Sequence, residues 1–173
     1  VDTDLISHAL SEPPSPALPQ IAASFRQDFL TQSGVLDRAK MRETVFADPQ
    51  ARQKLESIFH PLIRQECLRQ IKQETTASYT ILVVPLLFET ESFAEQIDYS
   101  LVIDCPEELQ ITRTINRSGL SRERTLSIMA SQLDRQSRLK KANYVIINDR
   151  TIEQLARDID QLHQTFQKLA QCM

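Results

Sequence analysis

Tyr79-Thr-Ile-Leu-Val-Val-Pro-Leu-Leu-Phe88 is an unbroken run of β-branched, aromatic and other apolar residues. Such a run reads as a strand buried on both faces, with Pro85 at or just past its end. Tyr99-Ser-Leu-Val-Ile-Asp104 is a second buried strand of the same texture, and Tyr144-Val-Ile-Ile147 is a third. Helical patterns lie between them. One starts at Pro106, carries Leu109, Ile111 and Ile115, and ends at Ser118-Gly119; another runs from Ser121 to about Lys141 and is rich in Arg and Gln. Thr151-Ile-Glu-Gln154 is a capping box. It opens a long helix whose Ile152, Leu155, Ile159, Leu162, Phe166 and Leu169 form one buried stripe. Strands alternating with helices predict an α/β fold with a parallel sheet. Ligands of such sheets bind at the carboxyl ends of the strands. Here those ends are Asp2/Asp4, Pro85 to Glu89, Asp104 and Asn148.

The front of the chain is helical. Val1-Asp-Thr-Asp4 reads as the end of a strand, with Asp4 placed to cap a short helix over Leu5 to Leu10. Four prolines between Ser11 and Pro19 make a loop, and a helix with Ile21, Ala22, Phe25 and Phe29 on one face follows. Gly34 ends a turn, and a short helix opens at Leu36-Asp37-Arg38. Asp48-Pro49 starts a longer helix in which Leu55, Ile58, Phe59, Leu62, Ile63 and Cys67 keep helical spacing. Pro61 has no amide hydrogen, so a kink or break is expected near His60-Pro61.

Composition narrows the function classes. Of 173 residues, 41% are hydrophobic and 25% charged, which excludes disorder over most of the chain. The longest apolar run, about ten residues, is too short for a membrane-spanning helix. Net charge is −3 with no basic block, which argues against a general grip on nucleic acid. Cys67, Cys105 and Cys172 form neither a CxxC nor a zinc pattern, so a cytoplasmic location is expected. There is no GxSxG and no GxGxxG.

Several charged residues could carry chemistry. Asp2 and Asp4 are two apart, so in extended backbone both carboxylates share a side. One could take a proton from a substrate hydroxyl or hold a metal's water. The blander alternative, a helix cap at Asp4 with Asp2 solvated, is favoured by composition alone. Arg113 and Arg117 share a helix face and suit an anion between them, though Glu107, Glu108 or Glu123 could pair with them instead. Arg122, Arg124, Arg135 and Arg138 continue this cationic stretch, either as a solvated helix or as a flap over a phosphate. Arg38, Arg42, His60 and Arg64 form a second, scattered cationic group. His8 and His163 fit structural or exposed positions.

Taken in order, these residues resemble the dephospho-CoA kinase family of P-loop kinases. The resemblance rests on Asp2-Thr3-Asp4 with Ile6 and His8, Leu36-Asp37-Arg38, Phe46 with Pro49, and His60-Pro61-Leu62-Ile63. It continues through Val84-Pro-Leu-Leu-Phe-Glu89, Gln110 with Arg113 and Arg117, Gln132, Arg138, and Ala142-Asn-Tyr-Val-Ile-Ile-Asn148. It covers the whole chain and implies a P-loop NTPase-type parallel sheet flanked by helices. Within a single domain (1–173), a helical CoA-binding subdomain over 8–76 and an Arg-rich lid over 113–141 are implied. The implied reaction is ATP-dependent phosphorylation of the ribose 3′-hydroxyl of dephospho-CoA, the last step of coenzyme A synthesis. Asp4 resembles the general base, and Arg113 resembles the lid arginine that steadies the transferring phosphoryl group. Asp2, His8, Arg38, Arg42, His60, Arg64, Pro85 and Leu86 fall on the acceptor side by the same likeness. Arg117, Arg138 and Asn148 fall on the ATP and lid side. Implied partners are ATP with Mg²⁺ and dephospho-CoA, with neither nucleic acid nor membrane, in a monomer or weak homo-oligomer.

The departures are specific. The family's GxxxxGK[ST] loop, whose hydroxyl binds magnesium, matches nothing here. The chain has only 2 glycines, against about 12 at average usage, and starts at Val1. A preceding strand and P-loop are therefore expected, with the fragment inactive without them and no metal ligand of its own. Arg26 stands where similar sequences often carry glycine after phenylalanine, and Asn143 replaces a common aspartate. The alternatives are another P-loop small-molecule or nucleotide kinase, or a non-catalytic CoA-binding relative.

Overall fold

The computed structural model describes residues 1–73, 76–90 and 93–172. The chain divides into two units, Val1–Pro85 and Leu86–Met173.

The first unit is built on helices α1 (Thr3–Ala9), α2 (Ala17–Phe25), α3 (Arg38–Ala47) and α4 (Pro49–Gln73). Helices α1, α2 and α3 each pack against α4. Ala17, Leu18, Ile21, Phe25, Phe29, Leu36, Met41, Ala51, Ile58 and Phe59 form the core between them. Each fully buried aliphatic or aromatic side chain contributes about 1.5–3 kcal/mol over leaving it in water. Phe29 lies on a short 3-10 turn after α2 rather than on the helix itself.

Pro61 does not break α4, which is continuous over 25 residues. Pro61 lies on the exposed side, while Ile58, Phe59 and Cys67 stay buried on the other. The lost backbone bond falls where the Ser57 carbonyl meets water, so packing on the opposite face holds the helix together.

Residues 79–88 also differ from expectation. Val1 to Thr3 runs parallel to Ile81–Val83: Val83 N donates to Val1 O (2.8 Å) and Thr3 N to Val83 O (3.1 Å). The front of the chain is thus strand-like, as its sequence suggests. Only a bridge forms, between Asp2 and Val83, and Ile81 (56%) and Val83 (48%) remain exposed. The pleat sends Leu82 and Val84 to a half-buried face and Ile81 and Val83 to solvent. An unbroken apolar run does not report whether both faces find cover. The extended segment ends before Pro85, as expected, and a short helix, α5 (Leu87–Thr90), follows.

In the second unit, β1 (Leu101–Asp104) and β2 (Tyr144–Ile147) pair in parallel, from Leu101↔Tyr144 to Asp104↔Ile147. One face of each is buried (Val102, Asp104, Ile146) and the other exposed, against the expectation of full burial. Asn143 ties the amino ends together: its Oδ1 accepts from Ser100 N (2.9 Å) and Ser100 Oγ (3.0 Å). That is the acceptor role an aspartate would fill, so the substitution is structurally neutral.

The crossover carries α6 (Glu107–Ser118), α7 (Arg122–Ala130) and α8 (Arg135–Lys141). Gly119, at φ +66°, closes α6 in the left-handed conformation that glycine adopts without strain. The single helix expected over 121–141 is two, because Asp134 starts a new one by accepting from Ser137 N (2.9 Å). Helix α9 (Ile152–Ala170) is capped by Thr151, whose Oγ1 accepts from Gln154 N. Its stripe is half-buried at Leu155, Leu162, Phe166 and Leu169 but exposed at Ile152 and Ile159. Tyr144 meets Phe166 edge-on at 5.1 Å. A four-residue strand is only about 13 Å long against about 28 Å of helix, so β2 cannot cover the whole stripe.

Arg26 ends α2 at φ 87°, ψ 159°, a region essentially reserved for glycine. Its ion pair with Asp28, 3.9 Å and exposed, offsets little of that strain. Arg26→Gly is expected to stabilise the protein by about 1 kcal/mol, after the entropy glycine adds to the unfolded chain. Thermal unfolding should read this as a rise of about 3 °C in Tm. An unchanged or lower Tm would show that the backbone there is not strained.

Candidate functional site

At the first strand end, Asp2 and not Asp4 is the helix cap. Asp2 is extended (φ −123°, ψ 118°), and its Oδ1 accepts from Asp4 N (2.8 Å) and Leu5 N (3.2 Å). Thr3 anchors the same turn by donating from Oγ1 to Val83 O (3.1 Å). This inverts the blander alternative, in which Asp4 caps the helix and Asp2 is solvated. Asp2 is structural at this turn, and Asp4, one residue into the first turn of α1, presents an exposed carboxylate. That carboxylate has no hydrogen bond or ion pair among the described residues.

The other acceptor-side candidates of this unit lie on the helices packed around α4. His8 is in the last turn of α1 and has its own partner, with Nδ1 3.6 Å from Glu12 Oε1. Arg38 and Arg42 lie one turn apart on α3, which starts where Asp37 Oδ1 accepts from Lys40 N (3.0 Å). His60 and Arg64 have the same spacing on α4. All four are exposed, and Arg38, Arg42 and His60 have no partner among the described residues. Pro85 is exposed at the end of the 81–84 segment.

The second unit opens with Leu86 at φ 56°, a left-handed backbone that a leucine adopts at a cost of about 1 kcal/mol or more. Its carbonyl accepts from Glu89 N (3.1 Å) and so starts α5. The carboxyl ends of β1 and β2 adjoin: Asn148 N donates to Asp104 O (2.7 Å). Arg113 reaches the same place from α6 and donates from Nη1 to Asn148 O (2.8 Å). Two separately read candidates are thus brought together. Arg117 lies one turn further along α6, exposed and without a partner among the described residues. Arg138 donates from Nη2 to Leu133 O (2.9 Å), at the α7–α8 junction.

The carboxylates that could have neutralised Arg113 and Arg117 are not beside them. Glu108 is engaged by both terminal nitrogens of Arg122 (3.0 and 2.7 Å), and that guanidinium holds its carboxyl below the usual range. Arg26, Arg52, Arg69, Arg122, Arg135 and Arg150 each lie beside a carboxylate. Among the described residues, Arg38, Arg42, Arg113, Arg117 and Arg138 lie beside none.

Two features of this unit escaped the sequence. Asp104, 5% exposed, accepts from Nε (2.9 Å) and Nη2 (2.5 Å) of Arg135. Glu89 Oε1 accepts from Leu133 N (3.0 Å). Asp104 and Glu89 are legible as strand-end residues and Arg135 as part of an arginine-rich stretch. Nothing local says which partner, 31 or 44 residues away, each one takes. Cavities of about 410 Å³ (between β2 and α9) and about 360 Å³ (at the amino ends of the strands) are lined by neither Asp104 nor Glu89. Among the described residues, no three His, Cys, Asp or Glu side chains converge as a metal site, and no helix is long and apolar enough to cross a membrane.

Known proteins match this arrangement along its length. The family model described as dephospho-CoA kinase matches residues 1–154. The dephospho-CoA kinase of Burkholderia lata is 44% identical over 167 residues, covering 96% of this chain and 82% of that protein. That of Nitrosomonas europaea is 44% identical over 170 residues, covering 98% and 83%. Among solved structures, dephospho-CoA kinase from Campylobacter jejuni superposes with a TM-score of 0.70 at 28% identity, over 97% of this chain and 84% of that one. A Thermus thermophilus crystal structure gives 0.75 at 26%, over 95% and 83%. With matches of this extent in sequence and in fold, the chain belongs to the dephospho-CoA kinase family, and its parallel sheet with flanking helices is of the P-loop NTPase type.

Proposed function

We propose that Asp4 and Arg113 carry the chemistry of this kinase, which phosphorylates dephospho-CoA with ATP in the last step of coenzyme A biosynthesis. Asp4 takes the proton from the acceptor's ribose 3′-hydroxyl as that oxygen attacks the γ-phosphorus of ATP. ADP leaves, and Arg113 stabilises the charge spread over the transferring phosphoryl oxygens. The observation that carries this reading is the distribution of unneutralised charge. Asp4 has no cationic partner, and Arg38, Arg42, Arg113, Arg117 and Arg138 have no carboxylate among the described residues. Guanidiniums left without carboxylates suit phosphate oxygens, whose geometry matches their planar fork.

The remaining assignments follow the same division. Residues 8–76 are the CoA-binding subdomain, where Arg38, Arg42, His60 and Arg64 meet the acceptor's phosphates and His8, Asp2, Pro85 and Leu86 border it. Residues 113–141 are the lid, with Arg117, Arg138 and Asn148 on the ATP side. Mg²⁺ enters with ATP and offsets phosphate charge. The phosphate-cradling GxxxxGK[ST] is assigned to none of these 173 residues. A cytoplasmic location, which three unpaired cysteines support, and a monomer or weak homo-oligomer complete the reading.

The test is an acceptor panel offered to the full-length protein with ATP and Mg²⁺. Dephospho-CoA should gain one phosphoryl group, while free nucleosides and phosphopantetheine should not. Preference for another acceptor, or no ATP-dependent product, would overturn the assignment.

A further inference from the structure

We infer that Glu89 and the Asp104–Arg135 ion pair are positioning residues of the phosphoryl transfer, anchoring the start of α8 and, through the strand ends, the guanidinium of Arg113. The inference rests on the role proposed above for Arg113.

The contacts form one chain. The Leu133 peptide is gripped on both sides: its N–H by Glu89 Oε1 (3.0 Å) and its carbonyl by Arg138 Nη2 (2.9 Å). This fixes the turn between α7 and α8. Arg135, the first residue of α8, then engages Asp104 through Nε and Nη2. Asp104 is buried while Arg135 is partly exposed, so water competes with this charge-assisted fork only from the arginine side. The Asp104 carbonyl accepts from Asn148 N (2.7 Å), and the Asn148 carbonyl accepts from Arg113 Nη1 (2.8 Å). The path from Glu89 to Arg113 thus runs through hydrogen bonds, one ion pair and the short stretch of backbone from Leu133 to Arg135. None of these contacts reaches into α7. The start of α8 is thus held by these contacts, while α7 is tied separately to α6, where Arg122 engages Glu108 and Thr125 is buried.

An arginine that stabilises a transferring phosphoryl group must be placed to a fraction of an ångström, and small displacements lower kcat steeply. The anchors are expected to act on kcat and to leave acceptor binding alone. Glu89 is the informative residue because its contact is exposed, so its variants fold.

The experiment compares Glu89→Ala, Glu89→Gln, Arg135→Lys and Arg113→Ala in the full-length kinase. It measures kcat, KM for dephospho-CoA, Tm, and hydrogen exchange of the Leu133 amide. Glu89→Ala should lower kcat about tenfold, keep KM within about twofold, and speed Leu133 exchange about tenfold. Glu89→Gln keeps an acceptor oxygen and should restore both to within about threefold. Arg135→Lys loses the planar fork and should lower kcat while retaining the fold. A wild-type kcat in Glu89→Ala with faster Leu133 exchange would overturn the inference, as would a Gln variant no better than Ala. Loss of kcat in Arg113→Ala alone would sink the anchor and leave the site reading intact. No loss in either variant would sink both.

Discussion

Asp4→Asn in the full-length kinase is expected to lower kcat about 10³-fold, with KM for ATP and dephospho-CoA within about threefold. The substitution keeps shape and removes the only property a general base needs. The Asp4 carboxylate makes no hydrogen bond or ion pair among the described residues, so its loss breaks no contact. The helix cap also survives, because Asp2 makes it: its Oδ1 accepts from Asp4 N and Leu5 N. Asp4 does sit in the first turn of α1, where a negative charge is mildly favourable. Two readings therefore separate cleanly. If Asp4 only stabilises the helix start, the variant lowers Tm slightly and keeps kcat. If Asp4 is the base, Tm stays close to wild type and kcat collapses. Asp4→Glu, which carries the carboxylate one methylene too far, should recover part of the rate. Steady-state kinetics with a melting curve on the same samples decides the question.

What the sequence revealed was mostly local. Thr151 with Gln154, Gly119 after α6, and Tyr144-Val-Ile-Ile147 were readable because cap, stop and strand signals act within a few residues. The split of 121–141 into two helices carries a local signal too, at Asp134, set within a stretch rich in Arg and Gln that reads as one helix. Pro61 misled for the opposite reason: its local penalty is real, but burial of Ile58, Phe59 and Cys67 outweighs it. The run at 79–88 was strand-like, yet how much of it is covered depends on neighbours that no window around it contains. The site residues follow the same rule. Their charges and strand-end positions were legible. Which of them find partners was not: Glu108 goes to Arg122, Asp104 to Arg135, and Arg113 to a backbone carbonyl. Those choices leave Arg113 and Arg117 without carboxylates among the described residues, and they needed three-dimensional placement.

Arg113→Ala should be the second severe loss, about 10³-fold in kcat, the scale set by arginines that stabilise phosphoryl-transfer charge. Arg113→Lys should recover little of it. Lysine keeps the charge but not the planar fork, which can hold the Asn148 carbonyl with Nη1 and still present other N–H groups to phosphate. The contact with Asn148 is to a backbone oxygen, so replacing the Asn148 side chain does not remove it. Arg113→Ala does remove it, but Asn148 is a half-exposed residue whose carbonyl can take water instead, which limits the cost in stability. The decisive measurement is the ratio of kcat between Ala and Lys variants alongside KM for ATP. If Arg113 only joins α6 to the strand end, Lys should restore activity, because an ammonium can also donate to that carbonyl. If Arg113 stabilises the transferring group, both variants stay slow while ATP still binds, since the interaction lost is one made mainly in the transition state.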